Sequence, residues 1–127
     1  MQYKNCWSSS QTAGKTDRDN PQRDHIPRNT HLFFLLADQE IAGMLTVGIY
    51  HSPTGGKAWI EDVVVDEKYR GQGLSKQLVT HAVRFVKEQG IPLIMLTSNP
   101  TRIAANKLYQ KLGFEQKQTN VYRMNLE

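Results

Sequence analysis

Residues 59–76, WIEDVVVDEKYRGQGLSK, restrict the fold of this chain more than any other stretch. Three kinds of local order follow one another there. Residues 59–65 are apolar and β-branched except for Glu61 and Asp62, and the run Val63, Val64, Val65 has the composition of a strand buried on both faces. Residues 66–72 are polar and carry Lys68, Arg70, Gly71 and Gln72, which predicts a loop. From Leu74 onward the apolar residues Leu74, Leu78, Ala82, Phe85 and Val86 fall at helical spacing. A strand, a basic glycine-bearing turn and a helix start, in that order, make an anion site. The first amides of a helix have no partner within it, its dipole favours negative charge there, and glycines let a ligand approach the backbone. The ligand chemistry this predicts is a pyrophosphate.

The rest of the composition narrows the class. A chain of 127 residues is one domain with a core of its own. A net charge of +4 suits a small acidic ligand, and the basic residues neither cluster nor alternate with aromatics, which excludes a nucleic-acid footprint. The most apolar run, residues 32–37, is strand-sized, so no membrane partner is expected. Residues 1–5 lack the apolar core of a secretory leader, and Cys6 is the single cysteine, which predicts a reducing, cytoplasmic setting.

Residues 1–30 are polar and poor in large apolar groups, and predict a flexible lead-in or one ordered by docking; residues 31–127 predict the folded domain. The run LFFLLA, the stretch IAGMLTVGIY and the strand over residues 59–65 predict three antiparallel strands, separated by Asp38-Gln39-Glu40 and by Ser52-Pro53-Thr54-Gly55-Gly56. Gly43 and Gly48 predict a bulge or a close approach in the second of these. The helix from Leu74 ends at Gly90, a left-handed cap, with Pro92 beyond. Residues 93–96 predict a short strand, residues 101–112 a helix closed by Gly113, and residues 114–126 two short strands around Thr119-Asn120. This order predicts an α/β (α+β) fold, a mixed sheet with helices packed on it.

Two separated segments resemble the GNAT N-acetyltransferases. Arg70-Gly71-Gln72-Gly73-Leu74-Ser75, behind a buried strand and Tyr69, is similar to that superfamily's acetyl-CoA motif, with Ser75 where Gly or Ala is usual. Residues 105–114, ANKLYQKLGF, are similar to its helix that carries a Tyr and ends in Leu-Gly-Phe. About thirty-five residues apart and each in its structural context, the pair is specific where a lone glycine-rich turn is not. The resemblance covers residues 31–127 and implies the GNAT fold, a central mixed sheet flanked by helices. The N-terminal strand and helices that wall the family's acceptor cleft are reduced or missing, which leaves the site open or completed by a second subunit; a homodimer is the expectation.

The resemblance implies an N-acetyltransferase in which a primary amine attacks the thioester of acetyl-CoA directly, in a ternary complex. The amine is a small molecule or a peptide terminus or lysine. Gly71, Gln72, Gly73, Leu74, Ser75 and Lys76 would give backbone donors to the pyrophosphate, with Lys68, Arg70 or Lys76 as counter-charges. The glycines alone are also what a tight strand-to-helix turn requires. Val63, Val64 and Val65 would pair by backbone with the pantetheine arm, and an N–H near Val64 or Val65 would meet the oxyanion. Many members place an Asn where Arg102 stands, so Asn99 or Asn106 would take over that pantetheine contact.

Tyr109 is the candidate general acid to the leaving thiolate, although its spacing with Leu108 and Leu112 also fits a core aromatic. Glu61 and Asp62 are the candidate bases, alongside a water relay. Alternation sends the two to opposite faces unless a bulge intervenes, so one of them would be a structural acid paired with Lys or Arg. WIEDVVV also resembles the corresponding strand of glucosamine-6-phosphate N-acetyltransferases, which points toward an amino sugar. His25, His31, His51 and His81 share no ligand spacing, and no metal is expected. The rival reading is a catalytically silent acyl-CoA-binding sensor or partner module of the same fold.

Overall fold

The computed structural model of the chain describes residues 3–4 and 29–127. The expectations for Cys6, His25 and the body of the lead-in fall outside those residues. The backbone forms two compact units, Met1–Thr97 and Ser98–Glu127.

The first unit is a sheet ordered β1-β2-β3-β4-β5, the same in space as in sequence. β1 (Tyr3–Lys4), β2 (Thr30–Ala37), β3 (Glu40–Ser52) and β4 (Gly55–Val65) pair antiparallel in succession. β5 (Ile94–Leu96) pairs parallel with β4, and α1 (Leu74–Glu88) is the crossover that a parallel pair needs. The sheet is therefore mixed, as expected.

β2 alternates cleanly: His31, Phe33, Leu35 and Ala37 are buried while Leu32, Phe34 and Leu36 are half-buried. The β2–β3 hairpin turns through Asp38 and Gln39, both at positive φ (50° and 69°), the backbone hand that matches the twist of the paired strands. α1 covers this sheet face. Leu74, Leu78, Val79 and Val86 are buried, and each such side chain contributes roughly 1.5–3 kcal/mol. Gly43 lets the helix come close, because a Cβ there would lie 2.9 Å from Leu78 Cδ1 and 3.1 Å from the Val64 carbonyl. Of the bulge or close approach expected at Gly43 and Gly48, Gly43 has both, since the β2–β3 register also shifts beside it between Leu35 and Leu36, while Gly48 meets nothing within 4 Å. The helix stops as expected, with Gly90 at φ 74° and the Ile91 amide donating back to the Val86 carbonyl. Under its second half lies an aromatic cluster: His31 meets Phe85 edge-on at 4.8 Å, and Phe33 meets His81 at 5.4 Å and Phe85 at 5.1 Å.

The second unit is built on α2 (Ile103–Lys111), closed by Gly113 at φ 100°. Tyr109 is its buried residue, 7% exposed, with the Phe114 ring edge-on at 6.1 Å. The two strands expected around Thr119-Asn120 are not formed, and residues 114–127 belong to no strand. Val121, Tyr122, Met124 and Leu126 stand 70–88% exposed. A strand exists only where another backbone supplies its hydrogen bonds.

Candidate active site

β4 changes character along its length. Ala58, Trp59 and Ile60 pair with Ile94, Met95 and Leu96, and there β5 ends. From Glu61 onward β4 has β3 on one side and, among the described residues, no strand on the other. The run Val63, Val64, Val65 is consequently not buried on both faces, as its composition predicts: Val64 is 51% exposed. Apolar composition tracks burial only where neighbouring strands continue, and this edge outlasts its neighbour.

The same segment carries a β-bulge. Thr46 faces Glu61 and Met44 faces Val64, so β4 uses one more residue than β3 between those pairs. The surplus is taken up at Asp62, held at φ 54°, a left-handed position that Asp tolerates better than most residues. Simple alternation therefore does not govern the two acids, and Glu61 and Asp62 are both exposed. Among the described residues neither has an ion-pair partner.

Beyond Val65 the chain is tied down before it is released. The Asp66 amide donates to the Ala42 carbonyl at 2.8 Å, and Asp66 Oδ1 accepts from the Lys68 amide at 3.0 Å, capping a single 3-10 turn, Glu67–Tyr69. Tyr69 is buried, and its hydroxyl donates to Glu40 Oε2 at 2.8 Å. Lys68 Nζ donates to the same oxygen at 3.0 Å. The Tyr69 hydroxyl first, and then Lys68, hold the Glu40 carboxyl below the usual carboxylate range; Glu40 in turn raises both partners. Lys68, one of the three expected counter-charges, is thus paired with Glu40. Glu40 carries no motif signal and lies 28 positions from Lys68, so sequence reading passes over it.

Arg70 then folds back, its Nε donating to the Val65 carbonyl at 3.3 Å. Gly71 and Gly73 follow at φ 82° and 75°, and a Cβ built on either meets nothing within 4 Å. Gly73 caps α1 without a side-chain hydrogen bond. The first helical bond runs from the Gln77 amide to the Gly73 carbonyl at 3.2 Å, so the amides of Leu74, Ser75 and Lys76 precede it. The buried Leu74 side chain anchors the exit of the turn. Backbone donors beside open space at two left-handed glycines fit a diphosphate.

Val63, Val64, Val65 and residues 70–76 are therefore brought together within the first unit. Asn99, Arg102, Asn106 and Tyr109 belong to the second. There Asn99 Oδ1 accepts from the Thr101 amide and hydroxyl, both at 2.9 Å, and Asn106 Nδ2 donates to the Asn99 carbonyl at 3.0 Å. These amides shape the loop that starts α2. Among the described residues no three His, Cys, Asp or Glu side chains gather as a metal site, and no helix is long and apolar enough to cross a membrane.

Residues 2–114 match the acetyltransferase (GNAT) family. The chain belongs to this family. As a GNAT chain it is 39% identical over 51 residues to human N-acetyltransferase 8B, covering 40% of this chain and 22% of that protein. It is 34% identical over 92 residues to the glucosamine 6-phosphate N-acetyltransferase of Trypanosoma brucei brucei, covering 58% and 60%. Among solved structures, one described as a transcriptional regulator from Bacillus halodurans superposes with a TM-score of 0.73 at 33% identity, over 82% of this chain and 71% of that one. The GNAT chain thus spans less than two thirds of these curated relatives.

Proposed function

We propose that this chain transfers the acetyl group of acetyl-CoA to a primary amine by direct attack in a ternary complex. The observation that carries the reading is the turn itself. Two left-handed glycines with open space at their α-carbons lie next to helix-start amides and beside a strand edge that its neighbour has left. In this reading the amides of residues 71–76 hold the diphosphate, with Arg70 and Lys76 as counter-charges. The free β4 edge at Val63, Val64 and Val65 pairs with the peptide-like pantetheine arm, and an N–H there stabilises the oxyanion. Asn99, Arg102 and Asn106 are assigned to the pantetheine arm on the second unit.

The amine loses a proton to Glu61 or Asp62, directly or through water, as its nitrogen bonds the acetyl carbon. The C–S bond then breaks, and Tyr109 gives its hydroxyl proton to the departing thiolate. The acceptor is a small molecule or a peptide amine; the relative that acts on glucosamine 6-phosphate makes an amino sugar the first to try. The single cysteine supports a reducing, cytosolic setting. A homodimer belongs to the proposal, supported by the exposed apolar side chains of Val121, Tyr122, Met124 and Leu126, and a monomeric mass in solution would remove it.

A second reading, an acyl-CoA-binding module without turnover, draws on the likeness to a structure described as a transcriptional regulator. Release of free thiol from acetyl-CoA, followed against a panel of amines, separates the two. Amine-dependent release is the expected result; tight CoA binding with no release for any amine selects the module.

A further inference from the structure

We propose that Glu40 is a positioning residue for diphosphate binding, acting through Tyr69 on residues 70–73. The proposal rests on the CoA-binding reading above. Residues 70–73 are slung between two anchors, the buried Tyr69 at the entry and the buried Leu74 at the exit. Between them Gly71 and Gly73 give the backbone more freedom than any other residue type, so how the ends are held bears directly on the order a diphosphate needs. The exit anchor is apolar and belongs to α1.

The entry anchor is held by β3. The ring of Tyr69 is buried and brings with it a hydroxyl that needs a partner, and Glu40 Oε2 accepts from it at 2.8 Å. The same oxygen takes Lys68 Nζ at 3.0 Å, and Lys68 lies 5.4 Å from the Tyr69 ring centroid. Two residues further along β3, the Ala42 carbonyl accepts from the Asp66 amide at 2.8 Å. The first residues of β3 thus hold both ends of the 3-10 turn, by backbone at Asp66 and by side chain at Tyr69. Glu40 itself follows directly on the tight Asp38-Gln39 turn, so its backbone is fixed by the hairpin. The arrangement also matches the Lys68 charge locally and keeps it from competing with Arg70 and Lys76 for the ligand.

The test is calorimetric titration of CoA into the wild-type chain and into Glu40→Ala, Glu40→Gln, Tyr69→Phe and Glu40→Ala/Tyr69→Phe, at a temperature where circular dichroism shows all five folded. Glu40→Ala and Tyr69→Phe are each expected to weaken CoA by about tenfold, as loss of one charged hydrogen bond would. The double variant is expected to be no weaker than Glu40→Ala, since both remove one link. Glu40→Gln keeps an acceptor for the Tyr69 hydroxyl and is expected to stay within about threefold of wild type. A merely structural Glu40 would lower the melting temperature and leave the Kd of the folded protein unmoved. Wild-type affinity in Glu40→Ala, or additive losses in the double variant, would overturn the proposal alone. A wild-type chain that does not bind CoA would overturn the reading beneath it as well.

Discussion

Gly73→Ala separates what the turn does for the fold from what it does for a ligand. Gly73 sits at φ 75°, and an added Cβ would meet nothing within 4 Å. The cost to the fold is therefore torsional. An L-residue in the left-handed region costs about 1–2 kcal/mol, offset by about 0.4–1 kcal/mol because alanine leaves the unfolded chain less freedom. The net loss is about 1 kcal/mol, or roughly 4–8 °C in Tm for a domain near 100 residues. Gly90 is a matched control: it sits at φ 74°, also opens onto free space, and lies at the other end of α1. Both alanine variants should lose the same stability. They should differ in CoA binding, because at Gly73 the methyl occupies the space assigned to the diphosphate. Losing one or two charge-assisted hydrogen bonds there costs about 2 kcal/mol or more, about thirtyfold in Kd. Thermal melts and CoA titration of the two variants read both quantities. A Gly73→Ala chain that binds CoA like wild type, or a Gly90→Ala chain that loses as much, would refute the assignment of the cradle.

Tyr109→Phe keeps the buried ring and removes the hydroxyl, so thiol release should fall about a hundredfold with little change in CoA affinity; full turnover would end the general-acid assignment. Asp62→Gly relieves the left-handed strain at φ 54° and should leave the melting temperature unchanged or higher, whereas Asp62→Val should destabilise by about 1–2 kcal/mol; equal melting temperatures for the two would argue against the bulge. His31 is buried with Nδ1 unpartnered, and burial lowers its pKa, as it does for His81. The folded chain then binds fewer protons than the unfolded chain below about pH 6.5, so stability should fall as pH drops through that value. Urea melts at pH 7.5 and 5.5 read the slope, which His31→Phe should reduce; an unchanged slope in that variant assigns the loss elsewhere.

Much of the architecture was legible because it is written in local signals. The Asp38-Gln39 turn, the spacing from Leu74 to Val86, Gly90 before Pro92, and Gly113 after Leu112 each act through a few neighbouring residues. Their backbone preferences hold whatever the rest of the chain does. The glycine-bearing turn was legible for the same reason, and so was the family to which it belongs.

Other features depend on partners distant in sequence, and only tertiary structure decides them. The burial expected of Val63, Val64 and Val65 fails because β5 ends opposite Ile60, a matter of a neighbouring strand's length. The bulge at Asp62 is a register shift against Met44 and Thr46, and pairing energies between strands set it. Residues 114–126, expected as two short strands, form none, because local sequence does not supply a pairing backbone. Glu40 stands in a turn as an unremarked acid until the fold carries Tyr69 and Lys68 to one of its oxygens. Local sequence sets which dihedral angles each residue prefers; which groups meet across the sheet is set by how the strands register and where each one stops.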